Sequence, residues 1–398
     1  MRLLPALSWA TCLLLLATGC PRAARPPITR PEEALVQVSH PLELSDDGDA
    51  ETLRTAIAQS LIWLKAQSAD QRFVFGKRTV TATEMRGALE RLSARITTGL
   101  TPAELTRRVL EDFEWMEAAG GDDGTVLFTG YYEPLIEASL SQTGEYTTPL
   151  HGPPGDLLEI PLEPFAERFK AERVFGRLDG RRVVPYWSRA EIRDGKLAGQ
   201  KLELAWAKDA VALFFLEVQG SGILRLPDGT ERRVGYAASN GRPYRSIGSL
   251  LIQEGAIPRE AMSMQALRTW LSLNPAQCTR VLDFNESYVF FRFLEGTSVG
   301  SLGRPVTPGR SIATDARLFP RGALAYVQTE RPVATADGQV AWKPLSRFVL
   351  NQDTGGAIRG AGRVDVFWGR GPEAELAAGM MKQKGRLLFL VPRASPAR

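Results

Sequence analysis

Histidine is almost missing from this chain of 398 residues. It has two, His40 and His151, and three cysteines, Cys12, Cys20 and Cys278. A Ser-His-Asp or Cys-His hydrolase would have to rest on His151 alone, and a zinc site has almost nothing to draw on. Any catalysis should therefore run on carboxylates, tyrosines or lysines, with no metal and no cofactor. A dominant charge is lacking too. The 49 Lys and Arg against 45 Asp and Glu leave a net +4. These basic residues are spread along the chain, which argues against nucleic-acid binding. Nor is there an apolar run long enough to span a bilayer. Met1-Arg2-Leu3-Leu4 leads through Leu13 to Leu16, with one early positive charge, a short apolar stretch and small residues before Cys20. That is the pattern of an export signal.

Ala17-Thr18-Gly19-Cys20 resembles a bacterial lipobox, with Ala17 at the position where Leu is usual. Residues 1–19 are thus expected to be a lipoprotein signal peptide, and Cys20 the lipidated first residue. Pro21 follows it in place of Asp, which in the usual sorting pattern favours the outer membrane of a Gram-negative bacterium, facing the periplasm. Cys278 then lacks a partner and should be a half-buried thiol outside any disulfide.

Residues 20–50, with Pro21, Pro26, Pro27, Pro31 and the run Asp46-Asp47-Gly48-Asp49, read as a flexible tether. Leu53, Ile57, Leu61 and Leu64 then repeat at helical spacing. Thr81 to Glu84 and Thr101 to Glu104 are capping boxes, the second with Pro at the first helical position. Helix is therefore expected over about 51–118, closed by Gly120-Gly121. From Val126 the period changes. Strands are expected at 126–132, 211–218, 323–329, 347–351, 364–368 and 387–391, with helices at 245–254 and 263–273. The C-terminal third, short strands with Gly and Pro turns, suits a small β-barrel or sandwich.

The stretch from Asn351 to Gly371 carries two aspartates, Asp353 and Asp365, with glycines between them and Phe367-Trp368 after them. No Lys-Ser or Lys-Thr follows the glycines and they do not open a helix, so neither a P-loop nor a dinucleotide fingerprint fits. Aspartate at a turn can simply satisfy backbone amides. Asp365 is less easily explained that way. Val364 and Val366 share one face of the expected strand, while Asp365 leaves the other with Arg363 and Phe367. Strands disfavour Asp, and burial raises its pKa. An acid on a rigid strand beside aromatic rings is how a general acid would be built.

Other segments place rings, amides and hydroxyls beside glycine, where a ligand can approach. Tyr131 and Tyr132 follow Gly130; Gln219 and Ser221 flank Gly220; Tyr236, Asn240 and Tyr244 run from Gly235. Such groups around an acid suit sugar rings, although tyrosines also cap cores.

Five segments, taken in order, resemble the family of membrane-bound lytic murein transglycosylase A. They are Phe128-Thr129-Gly130-Tyr131-Tyr132-Glu133-Pro134, Val218 to Gly222, Gly235 to Gly248, Met262 to Ala266, and Asp353 to Gly360. Tyr186 to Ile192 is similar to a further element, with Trp187 inserted. The resemblance implies a mainly β fold with N-terminal helices. A double-psi β-barrel would be made from residues 51–132 and 286–398, and a second, barrel-like β domain inserted at 133–285, with the glycan in the groove between. It implies that Asp365 is the catalytic acid, supported by Asp353 and more weakly by Asp315. It puts Tyr131, Tyr132, Gln219, Ser221, Tyr236, Asn240, Tyr244, Gly355 and Gly356 along the substrate. The implied partners are peptidoglycan strands, and a membrane reached through Cys20. The implied reaction is non-hydrolytic cleavage between N-acetylmuramic acid and N-acetylglucosamine, leaving 1,6-anhydro ends. Protonated Asp365 would serve as acid and then base, its pKa raised by Phe367, Trp368 and Asp353 and opposed by Arg359 or Arg363. A water-using glycoside hydrolase and a non-catalytic wall-polysaccharide binder are the competing readings.

Overall fold

The structure, a computed structural model, describes residues 27–38, 44–169, 172–337, 339–356 and 358–393. Cys20, the expected signal peptide and His40 lie outside the described residues. No helix among the described residues is long and apolar enough to cross a membrane.

Six strands close into a barrel. In order around it they are Lys382–Pro392, Leu324–Ala334, Val340–Asp353, Ser311–Ala313, Arg363–Phe367 and Val126–Tyr131, which pairs back onto Lys382–Pro392. Closure pairs both sides of every strand, so the barrel itself has no open edge. Phe128, Ile312, Phe348, Val364, Val366 and Phe389 belong to one fully buried cluster. Each such side chain contributes about 1.5–3 kcal/mol by leaving water.

Three helices extend this core. Ala50–Lys65 starts at Asp49, whose carboxylate accepts from the Glu51 amide. Ala82–Arg95 and Pro102–Asp112 start at Thr81 and Thr101, each with a complete capping box. Ala82, Met85, Ala88, Leu89 and Leu92 line the buried side of the middle helix at three- and four-residue steps.

The helical reading of 51–118 needs two corrections. A hairpin, Arg72–Phe75 with Arg78–Thr81, separates the first two helices. Phe113–Ala118 is a strand, antiparallel to Lys382–Pro392. Phe113 continues the helical spacing of Leu105 and Val109, but it is followed by a strand that meets free backbone groups on a long neighbour. The ladder bonds decide what spacing alone could not.

The tether expectation also fails for its described part. Leu35–Gln37 pairs with Phe113–Ala118. Asp46 is buried against the equally buried Arg310, accepting from Nη1 and Nη2 at 2.7 and 2.8 Å, and from the Phe348 and Gly48 amides at 2.8 Å. A carboxylate matched to a guanidinium fork and two amides draws the polar run Asp46 to Asp49 into the body.

The chain leaves the barrel after Tyr131 to build a second unit. Its six-stranded sheet runs Val289–Leu294, Glu231–Ser239, Ser221–Arg225, Leu135–Ser139, Glu203–Ala207, Thr148–His151. The strand Val289–Leu294 pairs with Glu231–Ser239, so sheet membership reaches past 285, where the inserted domain was expected to end. A separate three-stranded sheet holds Leu158–Pro161, Arg173–Asp179 and Arg182–Pro185. The expected strand at 211–218 is instead the helix Ala210–Gln219. Its aromatic and β-branched content reads as strand, but Asp209 caps its start and Gly220, at φ 79°, ends it in the left-handed conformation. Being apolar on most sides it is buried on most sides, which erased the periodic signal. Helices Met264–Leu273 and Pro275–Asp283 complete this unit, and Cys278 on the latter is a free thiol of intermediate exposure, its pKa pushed up by burial.

Candidate active site

Strand register assembles the site. Asp353 pairs with Ala313, Ala313 with Asp365, Asp365 with Thr129, and Thr129 with Lys382. Directly paired residues share a face, so one row across five strands carries two acids and an amine, separated by the small Ala313 and Thr129. The Cα atoms of the two aspartates stand two strand spacings apart, about 10 Å. Val364 and Val366, on the opposite face, are fully buried, which holds Asp365 on a stiff support.

The two acids are held differently. Asp353 accepts at 2.8 Å from the Tyr131 hydroxyl on Oδ2, and at 2.8 Å from the Ser301 and Thr354 amides on Oδ1. Asp365 accepts from the Thr129 hydroxyl on Oδ1, and Arg363 Nε stands 3.6 Å from the same oxygen. Burial pushes the Asp365 pKa up, against the Arg363 charge and the Thr129 hydrogen bond. Burial also raises Asp353, against Tyr131, the two amides and Arg321. Tyr131, desolvated and facing both acids, has its phenol raised well above its ordinary value. Its ring lies 5.1 Å from that of Phe367, so aromatic surface covers this end of the row. Trp368 instead packs on Gly130, where a Cβ would come within 2.6 Å of the indole nitrogen. Arg359 is exposed and has no part in the Asp365 shift.

Asp315 is fully buried but turned to other work. It accepts from Arg317 Nη2 at 2.7 Å and from the Gly360 amide at 2.9 Å. Burial would raise its pKa, but Arg317 and the amides outweigh it and hold the carboxyl below its usual range. It anchors the connection between the two acid-bearing strands. Gly355 and Gly356 lie in that connection, and a Cβ at Gly356 would meet nothing within 4 Å.

The insert's expected ligands divide into spent and open groups. Asn240 is buried; its amide nitrogen donates to the Trp187 and Glu286 carbonyls at 2.9 and 2.8 Å, and its oxygen accepts from the Tyr288 and Arg242 amides. No polar group of Asn240 is left for a sugar, contrary to its expected role. Tyr132 is buried too, its hydroxyl accepting from Arg268 at 3.2 Å and its amide donating to Gln219. Burial first, with Arg268 opposing, pushes that phenol up to about 12. Tyr132, Gln219 and Arg268 join the two units. Tyr236 and Tyr244 are exposed, and Ser221 is half-buried. His151 is buried against the Tyr288 hydroxyl at 2.8 Å, away from the acids. No group of three or more His, Cys, Asp or Glu placed to hold a metal ion occurs among the described residues.

Comparison with known proteins identifies the family. Residues 127–292 match the MltA specific insert domain and residues 310–391 the 3D domain. The chain is 34% identical over 284 residues to membrane-bound lytic murein transglycosylase A of Vibrio cholerae, covering 70% of this chain and 69% of that one. The chain belongs to that family. The Escherichia coli protein of the same name is 33% identical over 279 residues, 69% of this chain and 68% of that one. Among solved structures, a membrane-bound lytic murein transglycosylase from Agrobacterium tumefaciens superposes with a TM-score of 0.75 at 30% identity, over 90% of this chain and 98% of that one. E. coli MltA with bound chitohexaose gives 0.68 at 25% identity, over 94% and 97%.

Two residues of this family member's row escaped the sequence reading. Thr129 lies inside the matched segment Phe128 to Pro134, but only strand pairing sets it opposite Asp365, 236 residues on. Lys382 carries no motif at all; its place follows from the pairing of the first and last barrel strands.

Proposed function

We propose that the protein is a peptidoglycan lytic transglycosylase in which Asp365 alone carries the proton transfers. The observation that carries this reading is the asymmetry of the two acids. Asp353 has both oxygens engaged by three donors, while Asp365 keeps Oδ2 without a partner among the described residues. A pair of working carboxylates would need both to be available.

The protonated Asp365 donates to the bridging oxygen as the bond to C1 of N-acetylmuramic acid breaks and N-acetylglucosamine leaves. Its carboxylate then takes the proton from the C6 hydroxyl of the same muramoyl residue, whose oxygen attacks C1 and closes a 1,6-anhydro ring. No water is consumed. The internal hydroxyl is held at high effective molarity, so a second nucleophile is dispensable. Burial keeps the acid protonated to higher pH than an ordinary aspartate; Thr129 orients it, and Tyr131 and Asp353 shape the field beside it. Tyr236 and Tyr244 offer exposed rings to the glycan from the insert. The six-stranded barrel, with its parallel pairs at Ser311–Ala313 and Arg363–Phe367, suits the double-psi arrangement.

We also assign the enzyme to the outer membrane, facing the periplasm, through lipid at Cys20. Fractionation of a Cys20→Ala form should move it from membrane to soluble extract. Mass spectrometry of fragments released from purified sacculi tests the reaction: anhydro ends support it, reducing ends mean a hydrolase, and no release means a binder.

A further inference from the structure

Arg363 stands two residues before Asp365 on the strand Arg363–Phe367, so both side chains leave the same face. Three other arginines close their forks on buried carboxylates. Arg310 holds Asp46, Arg233 holds Glu133 and Arg317 holds Asp315, each through two nitrogens. Arg363 does not. Its Nε is 3.6 Å from Asp365 Oδ1, beyond a hydrogen bond, and that buried nitrogen has no hydrogen-bond partner. The side chain is 36% exposed, and its register neighbour Leu127 offers an apolar shelf at 37% exposure. A guanidinium is a planar fork of donors suited to a carboxylate taken face on. Here the guanidinium stays partly exposed and unclosed beside the acid that would cut the glycan.

We propose that Arg363 is a specificity-determining residue, whose guanidinium takes a carboxylate of the peptide stems on the glycan and thereby turns away from Asp365. The inference rests on the transglycosylase reading above. In intact peptidoglycan the lactyl carboxyl is tied up in the amide bond to the stem, so the free carboxylates beside each muramoyl residue are those of the stem itself. The groups around Asp365 leave this part to Arg363. Thr129 and Tyr131 are neutral, Asp353 is no cation, and Tyr244 of the insert lies within reach of the Arg363 charge. Lys382, two strands away, has its ammonium directed to the Arg259 and Met262 carbonyls at 3.4 and 3.3 Å. When a stem carboxylate offsets the Arg363 charge, the influence opposing protonation of Asp365 falls away. Stem binding would so favour the acid form that starts the reaction.

The test measures kcat/KM against pH for the wild type, Arg363→Gln and Arg363→Lys. Two substrates are used: glycan whose stems keep their free carboxylates, and the same glycan with those carboxylates converted to amides. The wild type should favour the strand with free carboxylates. Arg363→Gln should lower that preference about tenfold, the worth of one charge-assisted hydrogen bond, with Arg363→Lys keeping part of it. On the amidated glycan, the alkaline limb of the Arg363→Gln profile should move to higher pH, because the opposing charge is gone. An unchanged preference in Arg363→Gln, or an equal loss on both substrates, overturns the proposal while leaving the catalytic role of Asp365 intact. Normal turnover by Asp365→Asn sinks that catalytic role, and this inference with it.

Discussion

The barrel and the insert use polar groups in opposite ways. In the barrel, acids stand on strands whose opposite faces are fully buried, so their positions are fixed by the core beneath them. In the insert, polar groups are either consumed by the chain's own crossings, as at Asn240, or left exposed, as at Tyr236 and Tyr244. The buried ion pairs differ in the same sense. Asp46 and Arg310 meet through two nitrogens with two further amides on the carboxylate. Glu217 meets Arg189 in the insert, but burial outweighs that partner and raises the Glu217 pKa. A proton-transferring group needs a position fixed by the core beneath it; a surface that accepts a long polymer can do without one.

The largest expected effect tests the barrel half of that contrast. Asp365→Asn should lower kcat by about a thousandfold or more, with glycan binding retained in a sedimentation assay. In the wild type the working form is the protonated one. Because the Asp365 pKa is raised, kcat/KM should hold below that raised value and fall as pH climbs through it.

Next come the ion pairs, compared by urea unfolding. Asp46→Ala strands a buried guanidinium and should cost about 3–5 kcal/mol. Glu217→Gln mimics the form that burial already favours and should cost about 1 kcal/mol or less. The sign with pH is set by the raised Glu217 pKa. Its charged form is the disfavoured one, so the wild type should lose that stability as pH rises from the unfolded value to the folded one, and Glu217→Gln should not. Equal costs for the two variants would erase the distinction.

Smaller effects sharpen it. Tyr131→Phe removes a donor from Asp353 and should lower kcat about tenfold, with KM nearly unchanged. Tyr236→Ala and Tyr244→Ala should each raise KM a few-fold, about 1 kcal/mol of lost stacking and contact, with kcat nearly intact. A kcat loss from the tyrosines of the insert equal to that of Tyr131→Phe would place chemistry on both sides of the groove.

The legible parts were those written in neighbouring residues. Capping boxes at Thr81 and Thr101 announce their helices because a cap needs only four residues in a row. Asp365 was legible because an acid between Val364 and Val366 contradicts its own strand. The misreadings share a cause as well. Ala210–Gln219, buried on most sides, shows no periodicity to separate helix from strand. Phe113–Ala118 and the run at Asp46 took their states from partners more than two hundred residues away, Lys382–Pro392 and Arg310. Asn240 looked like a free amide because three of its four partners, Trp187, Glu286 and Tyr288, are about fifty residues away.

By itself the sequence determined that the chemistry would be carboxylate chemistry, since two histidines leave little else, and that Asp353 and Asp365 would not be equivalent. Its matched segments also determined the family. Only the tertiary structure decided which residues stand beside the acid. Thr129 and Lys382 joined the row of Asp365 through strand register, which long-range backbone pairing sets. Pairing is blind to the side chains it brings together, and so no local pattern could have announced that row.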